Sequence, residues 1–274
     1  MFIPPILLLA LAAAAPDDTI TVTGTRLTDK QIAVGARNYV GAVLPIPAYG
    51  QYSRWADPVC IKVTGLEDAY AARVAAAADE AHIARARPGC RTNLSIVFSE
   101  DAVITTAAIL AKKPKQIARL DGTERHRLLT ARLPVRFWHV LELRGADGRA
   151  PAPSQITVAG SAPQTDSWSA SLIDTHIAIW ATSAVVIVDV GLSSGKSLDA
   201  VADYAALVGL APMRLPPPTP GVPSFLALFT PASADALSSW DKAFLAALYR
   251  MQMNRTGSRQ EGQLVTAIKA ELAR

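Results

Sequence analysis

The chain has 274 residues, half of them hydrophobic and 18% charged, and its net charge is +4. This composition is typical of a globular protein with a sizeable core and excludes a disordered chain. The sequence contains no run of five or more lysines and arginines, so it does not indicate nucleic acid or an anionic membrane as a partner.

The first residues, MFIPPILLLALAAAAPDD, form an apolar run that ends in small residues before an acidic pair. This pattern predicts a signal peptide over residues 1–15, cleaved near Ala14 or Ala15. The run is shorter than the roughly 20 residues that span a bilayer, so a membrane anchor is not the favoured interpretation. We therefore expect export to the periplasm or the medium, with no transmembrane segment after cleavage.

Residues 16–50 are predicted to form an N-terminal segment with a short strand and a helix. The strand lies in DDTITVTGTR, which resembles the leader of outer-membrane TonB-dependent receptors. The favoured interpretation is a flexible N-terminus that adds an edge strand, since no long series of alternating strands follows. The helix is predicted from Thr28 to Leu44 and ends at Pro45.

Residues 51–274 are predicted to form one mixed α and β domain. A strand with alternating apolar residues follows Pro58, and LEDAYAARVAAAADEAHIARARPG predicts a helix. NLSIVF and EDAVITTAAILAKK predict a strand and a helix. RFWHVLEL and SQITVAG predict a strand pair around the turn GADGRAP, and IDTHIAIWATSAVVIVDV predicts one or two strands.

The C-terminal part is predicted to be helical, with patterns near Ser197–Leu210, Ser238–Met251 and Arg259–Arg274. The proline-rich LPPPTPGVP predicts an extended crossing between the first two helices. In the second helix the predicted N-cap is Ser238 or Ser239, and the predicted core face is Trp240, Phe244 and Leu248. The element order indicates the α+β class, a mixed sheet with packed helices.

The stretch GLSSG, residues 191–195, has the form of a serine-hydrolase elbow. In such an elbow a strained turn between a strand and a helix exposes the nucleophile, here Ser193, and an acid and then a histidine follow downstream. All four histidines precede Ser193: His82, His126, His139 and His176. A serine hydrolase is therefore kept as an alternative, although no histidine follows Ser193 to act as its base.

GLSSGKS is also one residue shorter than a phosphate-binding loop. The Walker pattern places four residues between its first glycine and the Gly-Lys pair, whereas only three separate Gly191 from Gly195. The missing amide changes which N–H groups converge on a phosphate. The favoured interpretation is a turn into a helix, with Ser197 as N-cap and Lys196 in solvent.

The helix pattern ADYAALVGL has the outline of a zinc-protease helix. In HExxH the two histidines lie on one helix face and hold zinc, and the glutamate activates the bound water. Aligned on Gly209, this sequence has Ala202, Asp203 and Ala206 at the three positions. Alanine cannot bind a metal, so a degenerate metal site is predicted.

Six segments in order resemble a family of exported bacterial proteins of unknown function that look like zincins without the metal site: RWADPVCIKVTG, NLSIVF, SAVVIVDV, ADYAALVGLA, SFLALF and SSWDKAFLAALYR. The resemblance spans Ser53 to Met251. Its firmer points are Trp55, Pro58, Asn93, Gly209, Trp240, Asp241 and Tyr249.

The resemblance implies a zincin-like mixed sheet and a non-catalytic protein, with no metal or other cofactor. It implies a cleft beside an edge strand, which could bind an extended peptide or a component of the cell envelope by strand addition. Two alternatives stay open. One is the hydrolase that uses Ser193, and the other is an accessory or signalling protein of an outer-membrane receptor system, suggested by ITVTGTR.

The only two cysteines are Cys60 and Cys90. An even count in an exported chain favours a disulfide, and two cysteines without a CxxC spacing form a poor zinc site. A strand–helix–strand unit returns the chain beside its first strand, which predicts that the two thiols meet. Two buried free thiols are the alternative.

Four further residues are candidates for chemistry. His139 has Glu142 nearby and is interpreted as a partly buried, hydrogen-bonded histidine rather than half of a catalytic pair, and His176 is interpreted in the same way. Asp189 ends an apolar strand and is predicted to be a turn residue, with ligand contact as the alternative. Met213, shortly after the first of the three C-terminal helices, invites comparison with the Met-turn of metzincins, but without metal ligands it is interpreted as an ordinary methionine.

Overall fold

The computed structural model describes residues 27–45, 47, 50–80, 89–118, 120–145, 148–149, 174–231 and 236–273. The predicted signal peptide, ITVTGTR and SQITVAG lie outside these residues. The helices are α1 Asp29–Val43, α2 Asp68–Glu80, α3 Ala102–Lys112, α4 Gly122–Thr130, α5 Leu198–Leu210, α6 Ser239–Arg250 and α7 Gly257–Leu272. The strands are β1 Ser53–Trp55, β2 Ile61–Thr64, β3 Leu94–Ser99, β4 Val135–Gly145 and β5 Ile177–Asp189, and 3₁₀ turns occur at Pro114–Ile117 and Phe225–Ala227.

The five strands form one mixed sheet around β5. β4 pairs antiparallel with β5 from Val135 opposite Val188 to Gly145 opposite Ile177. β1 and β3 pair parallel with β5, opposite its first and second halves, so they lie end to end along its other edge. β2 continues the sheet beyond β3. Within the described residues, β4 is therefore the outer strand on its side of the sheet.

Helices cover both faces of the sheet. α5 packs on the face of Leu94 and Val186, whose side-chain atoms would be the nearest neighbours of a Cβ added at Gly209. The opposite face carries Asp189, which accepts from Ala102 N of α3, and Trp138, whose Nε1 donates to Gln116 of the first 3₁₀ turn. Because both faces are covered, the second half of β5 is a continuous apolar run, in which Ala184 to Val188 are all buried.

Five of the helices, α1, α3, α4, α5 and α6, begin after a residue whose side chain caps them. Ser197 caps α5 through its bond from Ala200 N, as predicted, and Ser238 forms a capping box with Asp241 at the start of α6. The predicted core face of α6 is confirmed, since Trp240, Phe244 and Leu248 are all buried. None of the helices in the described ranges is long and apolar enough to span a membrane.

Asp241 is a fully buried carboxylate that joins three parts of the chain. It accepts hydrogen bonds from Tyr39 Oη (2.7 Å) of α1, Ser224 Oγ (2.6 Å) and Phe225 N (2.8 Å), and from Ser238 N (2.9 Å) and Oγ (2.7 Å). Burial, and then the neighbouring carboxylate, raise the pKa of Tyr39 well above its ordinary value. The carboxylate is thus satisfied within the core and holds α1, α6 and the preceding loop together.

Cys60 and Cys90 lie at disulfide distance, with 6.0 Å between their Cα atoms. Each precedes one of two neighbouring parallel strands, β2 and β3, which confirms the adjacency predicted for the strand–helix–strand unit. Asn93 lies at the same end of the sheet and joins the segments before β2 and β3. Its side chain accepts from Cys60 N (2.7 Å) and donates to Pro58 O (2.9 Å).

Three details differ from the sequence predictions. β1 and α4 are additional elements, since a three-residue strand and the polar helix GTERHRLLT have little hydrophobic pattern. α7 begins at Gly257 rather than Arg259. After β4, Gly145 N donates to Arg149 O at 2.8 Å, and the partner of β4 in the described residues is β5.

Candidate functional site

A groove of about 380 Å³ runs along the outer edge of β4. Five consecutive β4 residues, from Phe137 to Leu141, line it. Side chains alternate between the two faces of a strand, so consecutive residues share one cavity only where that cavity meets the edge of the strand. The free edge of β4 therefore forms the floor of the groove.

Two walls enclose this floor. The first wall comes from the end of α1, the residues before and in β1, and the loop after α5: Leu44, Pro45, Pro47, Gln51, Tyr52, Ser53, Pro212, Met213, Arg214 and Leu215. The second comes from the first 3₁₀ turn and the start of α4: Lys115, Gln116, Ala118, Leu120, Asp121 and Glu124. Nine of these sixteen residues are apolar or aromatic, and the other seven, four of them in the second wall, have polar or charged side chains.

The backbone of β4 presents free hydrogen-bonding groups to the groove. Asp189 N donates to Pro134 O at 2.8 Å, which marks these two as a hydrogen-bonded pair of the antiparallel ladder. Along an antiparallel ladder, hydrogen-bonded pairs alternate with non-hydrogen-bonded pairs. The backbone groups of Arg136 and Trp138 therefore bond to β5, whereas the N–H and C=O groups of Phe137 and His139 point away from it. No residue in the described ranges bonds to these outward groups.

His139 is held in one orientation at the floor of the groove. Its Nε2 lies 3.0 Å from the carbonyl oxygen of Gly209. A carbonyl only accepts, so Nε2 carries the proton and Nδ1 is the acceptor of the neutral ring. Burial lowers the pKa of His139 to about 4, and the bond to Gly209 opposes this shift. The ring is therefore neutral at pH 7, in accord with the interpretation as a partly buried, hydrogen-bonded histidine.

Two carboxylates lie in the second wall. Asp121 caps α4 by accepting from Glu124 N at 2.7 Å. Burial, and next the charge of Asp121, raise the pKa of Glu124, whereas Arg214, Arg127 and a bond to the Asp121 backbone oppose the shift. Glu124 is half-buried and forms no ion pair with a residue in the described part of the chain. The positive charges nearest to it in effect are those of Arg214 and Arg127.

Ser193 lies outside the groove, in the turn between β5 and α5. Its N–H donates to Asp189 O at 3.0 Å, and its Oγ is buried without a hydrogen-bond partner among the described residues. His139 bonds to Gly209 instead, and His126 and His176 are exposed. No histidine of the described ranges is thus placed as a base for this serine.

Asp189 acts as the predicted turn residue. Its Oδ1 accepts from Leu192 N (2.9 Å), and its Oδ2 accepts from Ala102 N (3.4 Å) at the start of α3. The carboxylate therefore stabilises the turn that contains GLSSG. The residues of the shortened phosphate-loop pattern belong to this turn, in which Gly195 has a positive φ of 82°.

The degenerate zinc-site positions lie inside the packed structure. Ala202 and Ala206 are 2% and 4% exposed, Asp203 is half-buried, and none of the three lines the groove. Gly209 does not end α5, because the helix continues to Leu210 and Ala211 is its C-cap. No group of three metal-binding side chains occurs in the described ranges.

The groove is assembled from segments that are far apart in sequence. Of its lining residues, the sequence singled out His139 and Met213, whereas Tyr52, Gln116 and Glu124 carried no motif. No protein-family model, curated protein or solved structure matches the chain. The functional argument therefore starts from the groove itself.

Proposed function

We propose that this chain is a non-catalytic binding protein that takes an extended peptide along β4 by strand addition. The observation that carries the proposal is the pair of outward-facing backbone units, Phe137 and His139, at the floor of a 380 Å³ groove. A peptide in extended conformation would pair with these groups as a further strand of the sheet.

The energetics favour a peptide with apolar side chains. A backbone hydrogen bond replaces bonds to water and contributes about 0.5–1.5 kcal/mol net. Burial of apolar surface against the walls contributes roughly 25 cal/mol per Å² before the costs of association. Backbone pairing would thus set the direction and register of the ligand, and the walls would select its side chains.

We further propose a zincin-like scaffold for this function. The antiparallel outer strand β4 beside β5, and α5 directly after β5, support it. Alanine at positions 202 and 206 supports a scaffold without metal chemistry, because neither residue can bind zinc. The predicted signal peptide supports export, with which the Cys60–Cys90 pair is compatible. A peptide segment of a cell-envelope protein is then the proposed ligand.

Synthetic octapeptide libraries test strand addition directly. One half of the peptides is attached to the support through the carboxyl end and the other half through the amino end. The selection as a whole then requires neither a free amino terminus nor a free carboxyl terminus. Selected peptides are then N-methylated at single positions. A β-strand bonds to its neighbour through every second residue, so methylation should abolish binding at alternate positions and be tolerated between them.

Two matched variants place the binding in the groove. Ala118 and Ala108 are both exposed, but only Ala118 lines the groove. Ala118→Trp should lower peptide affinity at least about tenfold by filling the groove, whereas Ala108→Trp should leave it unchanged. The absence of any selected peptide, or binding that tolerates N-methylation at every position, would contradict the proposal.

A further inference from the structure

His139 has one ring nitrogen that the fold leaves unused. Its Nε2 lies 3.0 Å from the carbonyl oxygen of Gly209 and carries the proton of the neutral ring, so Nδ1 keeps a lone pair. No residue in the described part of the chain bonds to Nδ1, and Nδ1 is not one of the fully buried polar atoms that lack a partner. His139 is partly exposed and lines the groove. Its unused acceptor is therefore open to the groove.

The register of a bound strand places one ligand side chain beside this acceptor. The outward N–H and C=O groups of His139 would exchange two hydrogen bonds with one residue of an antiparallel ligand strand, whose Cα would lie roughly 5.5 Å away. Side chains of directly opposed residues stand on the same face of a sheet and interact. The ligand residue two positions further along would oppose Phe137, whose ring centroid lies 6.2 Å from that of His139. The groove thus offers two side-chain positions on one face, one beside an acceptor and one beside a phenyl ring.

Resting on the proposed function, we propose that the groove selects peptides with a hydroxyl side chain, serine or threonine, opposite His139, and that Nδ1 accepts its hydrogen bond. A hydroxyl lies one bond beyond Cβ, which suits the short gap between opposed side chains, whereas the ammonium of lysine stands at the end of a long stem. A carboxylate would set its lone pairs against that of Nδ1. Burial keeps the ring in this accepting form, since it lowers the pKa of His139 to about 4.

The closing experiment is a double-mutant cycle between the peptide and the protein. Each position at which N-methylation abolishes binding is made threonine in one peptide and valine in another, because valine has the same shape without the hydroxyl. Opposite His139, the ratio of the valine to the threonine dissociation constant should be roughly threefold to tenfold higher for the native protein than for His139→Phe. At the next blocked position, two residues towards the carboxyl end and opposite Phe137, the ratio should be the same for both proteins.

The variant is expected to fold, because the carbonyl oxygen of Gly209 keeps its bond from Trp55 Nε1 at 3.0 Å. His126→Phe is the control, since His126 is exposed and does not line the groove, and it should leave the ratio at its native value. A second measurement needs no variant. In nitrogen NMR of the native protein, the Nδ1 resonance of His139 should shift more with the threonine peptide than with the valine peptide.

The possible outcomes separate this inference from the proposed function. A purely structural role of His139 would weaken both peptides equally in His139→Phe. If N-methylation blocks alternate positions but the ratio is the same in both proteins, or the Nδ1 resonance responds equally to both peptides, strand addition stands and the hydroxyl pairing is wrong. If no peptide is selected, or if binding tolerates N-methylation at every position, both proposals are wrong.

Discussion

Trp55 and His139 donate their ring N–H groups to the same acceptor, the carbonyl oxygen of Gly209, and each donor lies 3.0 Å from it. This carbonyl is in the last turn of α5, where helical partners are missing. Tyr249 Oη donates to the next carbonyl, that of Leu210, at 2.8 Å. Side chains from β1, β4 and α6 thus complete the end of α5 and orient His139 at the groove.

We expect His139 to make the protein less stable in acid. Its pKa is lowered from 6.5 to about 4, so below pH 6.5 the unfolded chain binds a proton that the native state does not. The native state should therefore lose stability as the pH falls from about 6.5 to 4. His139 as a residue is only partly buried, so we expect a loss on the order of 2 kcal/mol rather than the full pKa difference.

Urea unfolding at several pH values measures this effect by comparison with His139→Gln. Glutamine can still donate to Gly209 and does not titrate, so the extra acid sensitivity of the native protein should disappear in the variant. NMR titration of the imidazole should give a pKa near 4. A pKa near 6.5, or identical pH dependence in both proteins, would contradict the assigned environment.

Gly209→Ala should destabilise the protein by about 1–2 kcal/mol despite the better helix propensity of alanine. An added Cβ would lie 3.0 Å from Leu94 Cδ1 and 3.3 Å from Val186 Cγ2, and both residues are fully buried in the sheet. Gly262 in α7 is the control, since a Cβ there meets nothing within 4 Å. Gly262→Ala should be stabilising, by up to roughly 1 kcal/mol. Equal stabilisation by both substitutions in thermal unfolding would show that α5 is not packed this closely.

Asp241→Ala should cost roughly 3 kcal/mol or more of unfolding free energy, because it leaves the buried donors of Tyr39, Ser224 and Phe225 without their acceptor. Asp199→Ala is the contrasting variant, since Asp199 forms an exposed ion pair with Arg73 and should contribute less than about 1 kcal/mol. Chemical denaturation of both variants measures the difference. Similar small losses would mean that the Asp241 network is not formed.

The cysteines should form a disulfide in the mature protein. Mass spectrometry without reduction should recover Cys60 and Cys90 in one linked peptide pair, because their Cα atoms are 6.0 Å apart. The Cys60→Ser/Cys90→Ser double variant should lose roughly 3 kcal/mol of stability, the chain-entropy effect of a loop of this size. Two freely alkylated cysteines under denaturing, non-reducing conditions would refute the bond.

We expect no labelling of Ser193 by a fluorophosphonate probe. Its Oγ is buried in a residue that is 7% exposed, and no histidine of the described ranges forms a hydrogen bond with it. The native protein and Ser193→Ala should therefore give the same background signal. Labelling of the native protein that is lost in Ser193→Ala would instead support the hydrolase alternative.

Local features of this chain were predictable because their causes are local. Ser197 and Ser238 cap α5 and α6 with their own side chains, and the apolar run before Asp189 has the composition of a strand buried on both faces. The pairing of Cys60 with Cys90 followed from one strand–helix–strand unit, whose geometry returns the chain to its starting strand. The mixed α and β architecture follows from the order of such units.

Which residues form the groove was decided by the tertiary structure alone. Its floor exists because β4 pairs antiparallel with β5, which leaves Phe137 and His139 with outward backbone groups, and its walls meet through Arg127 and Leu215. Gly209 illustrates the same limit, since the sequence only places it within a predicted helix, whereas a Cβ there would lie 3.0 Å from Leu94 Cδ1 in the packed structure. Such contacts join residues that are far apart in the chain, and their geometry depends on packing that no local pattern encodes.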